Sequence, residues 1–294
     1  MEIKSFITKK AKVINQALDN YLPASDSKPA KLHQSMRYSV LAGGKRLRPI
    51  LTLVAAKLVG NLNEEDVLPA ACAVELVHNY SLIHDDLPSM DDDDIRRGQP
   101  SNHKKFSPAL AILAGDALLT LAFELVSEIE TIDAERINLI TKELAQGSGH
   151  QGMVGGQVVD IESEGKEIDS AELDYIHQHK TGALLKTSVR IGALMGEASE
   201  KELTALTTYA EKIGLAFQIV DDILDVEGSS EKLGKAVGSD SNKDKATFPA
   251  IYGLAESKRL AAKTIQEAKD SLEVFGDEAS ILKDLADYII QRDY

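Results

Sequence analysis

Apolar residues recur three and four positions apart along nearly the whole of this 294-residue chain, and alternating strand-like runs are scarce. That period puts apolar side chains on one stripe only if the segments are helical, so the spacing predicts an all-α protein. Helices are expected over about 3–21, 31–42, 48–59, 65–86, 108–127, 133–149, 151–162, 171–195, 200–226, 247–252, 255–275 and 278–290. Most prolines, among them Pro23, Pro29, Pro49, Pro88, Pro100, Pro108 and Pro249, fall where these segments start or stop. Glu64 to Asp66 acidify one helix start, and Gly60, Gly196 and Gly228 suit helix ends. Polar loops are expected at 91–107 and 228–245. The segments at 65–86 and 108–126 are apolar on more than one face, as buried helices at the centre of a bundle must be.

No Gly/Ser-rich or Pro-rich linker interrupts the pattern, so residues 1–294 are expected to form a single domain. The net charge of -14 argues against a nucleic-acid surface. It also means that an anionic substrate would need basic groups or metal cations gathered at one place. Cys72 cannot form an internal disulfide, and the first residues lack a continuous apolar core, so a reducing cytoplasmic location is expected. The longest apolar run, 108–126, holds Asp116 and Glu124 and reads as a buried helix rather than a membrane span.

Two aspartate clusters end two of the long helices. The first is Asp85-Asp86-Leu87-Pro88-Ser89-Met90-Asp91, continuing into Asp92, Asp93 and Asp94; the second is Asp221-Asp222-Ile223-Leu224-Asp225. Carboxylates beside Leu82, Ile83, Ile219 and Val220 are costly unless solvent, a cation or a metal compensates them. At about 100° per residue, Asp221, Asp222 and Asp225 share one helical face. Asp91 would point away from Asp85 on a continuous helix, but Pro88 disfavours continuation, so the chain is expected to turn after Asp86 and bring Asp91 back. Asp92 to Asp94 read equally as part of this group or as a solvated acidic loop. The linear calcium-loop pattern is absent, and carboxylates from two helices suit Mg²⁺ that bridges substrate phosphates.

Three cations precede a helix in Gly43-Gly44-Lys45-Arg46-Leu47-Arg48-Pro49, an arrangement that can hold an anion without being a P-loop. Arg96-Arg97-Gly98 follows the acidic loop and alone reads as a surface basic pair. His78 lies two turns before Asp85 on almost the same face, as a ligand or as a core histidine. Lys180-Thr181, Phe217-Gln218 and Gly234-Lys235 are weak signals singly; Gln218 precedes Asp221 and Asp222 by three and four residues on their face.

In this order, over roughly 41–250, these segments resemble the trans-isoprenyl diphosphate synthases, specifically the short-chain bacterial farnesyl diphosphate synthase group. The resemblance implies an all-α bundle of about 10–13 helices around a deep central cavity, normally a homodimer. It implies three Mg²⁺ ions on Asp85, Asp86, Asp91, Asp221, Asp222 and Asp225, with Gln157 and Asp160 supporting them. Arg96, Lys180, Lys235 and Lys245 would face the allylic diphosphate of dimethylallyl or geranyl diphosphate. Isopentenyl diphosphate would sit against Gly44, Lys45, Arg48, His78 and Arg97. Thr181, Phe217 and Gln218 would line the reacting carbons, Thr181 and Gln218 stabilising an allylic cation. Tyr80 and Ser81, about 6–8 Å down the helix from Asp85, would set product length, and an aromatic at 80 with the Leu87-Pro88 spacing goes with a farnesyl product in that group. Rival readings are a geranylgeranyl diphosphate synthase and a non-catalytic regulatory subunit; a terpene cyclase would not keep both aspartate motifs and Gly-Gly-Lys-Arg in this form.

Overall fold

The helical period is realised almost throughout the computed structural model, which describes residues 2–166, 168–227 and 247–291. In chain order the helices are α1 (Ile3–Tyr21), α2 (Ala30–Val40), α3 (Leu47–Val59), α4 (Glu64–Asp85), α5 (Asn102–Lys105), α6 (Pro108–Ser127), α7 (Ala134–Ser148), α8 (Met153–Ser163), α9 (Ser170–Ile176), α10 (Ala183–Met195), α11 (Glu200–Glu227), α12 (Phe248–Tyr252), α13 (Leu254–Ser271) and α14 (Ser280–Gln291). Among the described residues the other regular elements are a two-stranded antiparallel hairpin, β1 (Ile95–Arg96) with β2 (Gln99–Pro100), a π-helical turn His177–Gly182 and a 3-10 segment Glu273–Ala279. Lys235, Lys245 and Gly228 lie outside the described residues.

The described residues pack as two compact units, one falling within 1–53 and 62–141, the other within 54–61 and 142–294. In the first, α4 and α6 make the principal contact, flanked by α1, α2 and α5. Asn63 starts α4, its backbone N–H donating to Asp66 Oδ2 at 3.3 Å, and Glu64, Glu65 and Asp66 place negative charge at the positive end of the helix dipole. Once begun, α4 is buried on all sides from Ala70 to Val77. Ser107 Oγ accepts from Leu110 N–H at 3.2 Å and Pro108 fixes the first turn of α6.

The expectation of a buried helix at 108–126 holds for one face only. Ala111, Ala114, Leu118, Ala122 and Leu125 are buried, whereas Ile112 and Leu113 are exposed. Small residues explain the contact: a Cβ on Gly115 would stand 2.1 Å from His84 Nε2, so α6 approaches α4 through its absence. Length and apolarity alone would let Pro108–Ser127 cross a membrane; the helix also carries Asp116 and Glu124 and packs against α4.

In the second unit α11 is the hub, packing against α13, α10 and the π-helical turn, while α8 and α9 close on that turn and α14 packs on α13. Leu173, Ile219, Val220, Ile223, Phe248 and Ala261 form one apolar cluster directly behind the second aspartate motif. Gly60 and Gly196 serve close backbone approach, since a Cβ on Gly60 would lie 2.6 Å from Gly196 O.

Candidate active site

At the C-terminal end of α4 the helix stops where Pro88 requires. Leu87 N–H donates to His84 O at 3.1 Å, then Asp91 N–H reaches back to Asp85 O at 2.9 Å and Asp92 N–H to Leu87 O at 3.1 Å. The chain therefore turns after Asp86 and returns Asp91 beside Asp85. Asp86 is buried and accepts from Arg96 Nε at 2.9 Å, with a second contact from Arg96 Nη2. Burial pushes the Asp86 carboxyl above the usual carboxylate range, and the hydrogen bond and charge of Arg96 pull it partway back. Arg96 also donates to Asp93 Oδ2 at 3.3 Å, so one guanidinium links the aspartates on either side of the turn.

The hairpin brings Arg97 back against the glycine-rich segment. Gly44 has φ +124°, a conformation that strains any side chain, and a Cβ there would lie 3.1 Å from Arg97 Cζ and press on the guanidinium. Arg46 corrects the reading of this segment as three cations facing an anion. It is 3% exposed and turned into the core, donating to Glu75 Oε1 at 2.6 Å, Asn15 Oδ1 at 2.8 Å and Val40 O. Lys45 and Arg48 remain the anion-binding candidates. Burial, then Arg48 and Arg97, hold His78 well below the usual histidine range, so its ring is neutral at pH 7. Tyr38, Asn79, Asp86, Arg96, Arg97 and Asn102 are among the residues lining a water-sized cavity of about 20 Å³.

Tyr80 is buried on α4 with its ring edge-to-face with His84, centroids 5.7 Å apart. Burial, then the Asp85 charge, push its phenol up to about 12. Ser81 donates its hydroxyl to His78 O at 2.9 Å, which uses its one donor on its own helix.

The second unit carries the other group. Lys180 Nζ donates to Asp160 Oδ2 at 2.6 Å, joining the π-helical turn to α8. A Cβ on Gly156 would lie 2.1 Å from Lys180 N, so this glycine sets the spacing of the two backbones. Gln218 Nε2 reaches Asp221 Oδ2 at 3.5 Å, a long hydrogen bond along the helical face predicted for both. Asp222 and Asp225 are buried and Asp221 is half-buried, so the three aspartates are not equivalent. Asp222 Oδ2 accepts from Phe248 N–H at 2.8 Å and lies 3.7 Å from His177 Nε2. His177 is stacked on Phe248, with centroids 5.5 Å apart. Its position three residues before Lys180 is the sequence signal that could have singled it out. Asp160, His177, Lys180, Gln218, Asp222 and Thr247 are among the residues lining a cavity of about 130 Å³. A larger cavity of about 600 Å³, between α7, α10 and α11, carries Glu143, Lys186, Arg190, Glu211 and Lys212 and none of the aspartate motifs.

Among the described residues, one set of three carboxylate and imidazole ligands converges within 4.8 Å: Asp92, Asp94 and His103. It is a candidate metal site. Asp92 and Asp94 are exposed, as in a solvated loop, while Asp93 pairs with Arg96 and Asp94 with Lys104 at 2.7 Å. The motif aspartates offer oxygen donors, the set a hard cation such as Mg²⁺ prefers, and Mg²⁺ completes its shell with water and substrate phosphate rather than an all-protein cage. Asp86 and Asp222 each use one oxygen to anchor themselves, Oδ1 to Arg96 and Oδ2 to Phe248 N–H, as carboxylates held in place for a metal do.

Each unit of this all-α protein thus sets carboxylates beside a fixed cation, an arrangement that suits a diphosphate bound with a divalent metal. The sequence profile of the Polyprenyl synthetase family matches residues 29–285. Over 99% of its length the chain is 48% identical to the heterodimeric geranylgeranyl pyrophosphate synthase large subunit 1, chloroplastic, of Arabidopsis thaliana, covering 80% of that protein. It is 46% identical to the farnesyl diphosphate synthase of Geobacillus stearothermophilus, covering 100% of this chain and 99% of that one. A solved apo FPP/GFPP synthase from Zymomonas mobilis has a TM-score of 0.88, 38% identity and 98% coverage of both chains. The chain belongs to the polyprenyl synthetase family of Mg²⁺-dependent prenyltransferases.

Proposed function

We propose that this chain is a farnesyl diphosphate synthase, condensing isopentenyl diphosphate with dimethylallyl diphosphate and then geranyl diphosphate to give (2E,6E)-farnesyl diphosphate. The observation that carries the product length is Tyr80, a buried aromatic on α4 little more than a turn before Asp85. A chain growing from the diphosphate along α4 meets that ring after about 6–8 Å. The Leu87-Pro88 insertion, with the turn it forces, supports the same reading. A geranylgeranyl synthase would need a deeper bed than Tyr80 leaves. A non-catalytic subunit would have no use for Asp86 fixed by Arg96 or Lys180 fixed by Asp160.

In this reading Asp85, Asp86, Asp91, Asp221, Asp222 and Asp225 would hold three Mg²⁺ ions, which would supply positive charge for the allylic diphosphate as leaving group. Gln157 and Asp160 support them. Arg96 and Lys180 add fixed positive charge toward that group, with Lys235 and Lys245 assigned the same role from the sequence. Lys45, Arg48 and Arg97 bind isopentenyl diphosphate, and a neutral His78 donates a hydrogen bond without adding charge. Thr181 and Gln218 present oxygens to the allylic cation, beside Phe217. Preorganised charge of this kind is worth about 10²-fold or more per group in turnover. The exposed Ile112 and Leu113 on α6 support a homodimer, since a second copy would cover them. A cytoplasmic location accords with the single reduced Cys72.

The test is incubation of the purified chain with isopentenyl diphosphate and each allylic primer, with and without Mg²⁺, followed by chromatography of the dephosphorylated products. A C15 alcohol that requires Mg²⁺ supports the proposal; a mainly C20 product transfers the chain to the geranylgeranyl reading, and no product from any primer supports the regulatory one.

A further inference from the structure

We propose that Asp92, Asp94 and His103 form a second kind of cation site, for a divalent d-block metal of the Zn²⁺ or Co²⁺ type, separate from the Mg²⁺ carboxylates. Two observations carry it independently. The ligand atoms of the three side chains lie within 4.8 Å of one another. His103 is 5% exposed, and its Nε2 is buried without a hydrogen-bond partner, 3.9 Å from Asp92 Oδ1. A buried ring nitrogen left unsatisfied beside two carboxylates has a physical cost that a metal ion removes.

The imidazole is already oriented for this role. His103 Nδ1 lies 3.1 Å from Ser101 Oγ, so with the proton on Nδ1 the ring donates there and presents the Nε2 lone pair toward Asp92. The backbone holds the two ends of the site together. Ser101 N–H donates to Asp94 O at 2.8 Å, and the β1–β2 hairpin closes the chain between them. Two atoms 3.9 Å apart can both reach one ion at about 2.0–2.2 Å, and a tetrahedral angle needs the exposed Asp92 carboxylate to close on His103 by about half an ångström. Asp94 is exposed and swings in by side-chain rotation.

One nitrogen with two carboxylate oxygens favours Zn²⁺, Co²⁺ or Mn²⁺ over Mg²⁺, which prefers an all-oxygen octahedron. The nearest competitor is Lys104, whose Nζ sits 2.7 Å from Asp94 Oδ1. Lys104 and the metal therefore exclude one another at that oxygen. Occupancy clips the acidic turn after α4 to the start of α5, next to the Asp93–Arg96–Asp86 linkage, which gives the site a means of stiffening the segment that bears Asp91. The inference does not depend on which prenyl product is made.

The test is titration of the untagged full chain with Co²⁺ in saturating Mg²⁺, following the visible absorption of nitrogen-ligated Co²⁺ and the bound metal by elemental analysis. The wild-type chain takes up one equivalent of Co²⁺ that Mg²⁺ does not displace. His103→Gln and Asp94→Asn each weaken that site at least about tenfold, and Lys104→Ala tightens it. Asp94 and Lys104 are exposed, so their variants decide the matter even if His103→Gln does not fold. Identical titrations of the wild type, Asp94→Asn and Lys104→Ala would overturn the proposal, as would wild-type uptake that Mg²⁺ fully displaces.

Discussion

Arg46 and Asp86 are both charged and almost completely buried, and their partners give them different jobs. Arg46 closes on Glu75 within the first unit, a pair that holds the glycine-rich segment in place. Glu75→Ala leaves that guanidinium buried and uncompensated and is expected to cost about 3–5 kcal/mol in denaturant unfolding. Asp86 is anchored by Arg96 at the mouth of the turn, so its loss should appear in turnover more than in folding. Alanine at Asp85 or Asp221 is expected to lower turnover at saturating Mg²⁺ by at least about 10²-fold, and near-normal turnover would remove that residue from the metal set. His78 gives a pH signature. Its folded pKa lies well below the ordinary 6.5, so below about pH 6.5 the unfolded chain binds a proton that the folded chain refuses. Stability therefore falls as pH drops through that range, and His78→Gln should flatten this part of a Tm-against-pH curve. The sequence displayed the aspartates and arginines but not their directions. Lys45, Arg46 and Arg48 look alike in a string, and only the left-handed φ of +53° at Arg46 and the position of Glu75 on α4 turn Arg46 inward.

Among elements, helices with a steady 3.6-residue period were legible almost to their ends, because burial of one stripe and start and stop residues are local signals. The break after Asp86 was legible for the same reason, since Pro88 acts on its immediate neighbours. Four features were not, one of them the short helix α5 inside the span expected as a polar loop at 91–107. The span read as one helix over 171–195 is interrupted by the π-helical turn His177–Gly182, whose wider turn leaves the apolar period on both sides intact. The turn lies at the candidate site and carries Lys180 and Thr181. The β1–β2 hairpin is too short to show alternation, and the 3-10 segment with Gly276 at φ +58° interrupts the C-terminal helices without a proline. Gly156→Ala probes the π-helical turn directly. Its Cβ would strike Lys180 N, so the variant is expected to lose about 1–3 kcal/mol and to show weaker diphosphate binding as the Lys180–Asp160 bond shifts.

For the molecule as a whole, the all-α character and family were legible because many weak motifs occur in one order, whereas product length rests on a single side chain's surroundings. The apolar face of α6 marks a further limit of periodicity, which counts apolar residues without saying what covers them. Leu113→Asp is expected to convert a dimer into monomer in light scattering while leaving the helical circular dichroism spectrum unchanged; an unchanged mass would place the interface elsewhere. In the proposed function, Tyr80 ends chain growth at C15 in a Mg²⁺-dependent synthase. The most direct measurement is product length from dimethylallyl diphosphate and excess isopentenyl diphosphate, compared between the wild-type chain and Tyr80→Ala under the same Mg²⁺. Farnesyl diphosphate is expected from the wild type, with a shift to C20 or longer in the variant. A mainly C20 product from the wild type, or the same C15 profile from both, would remove Tyr80 as the limit on chain growth.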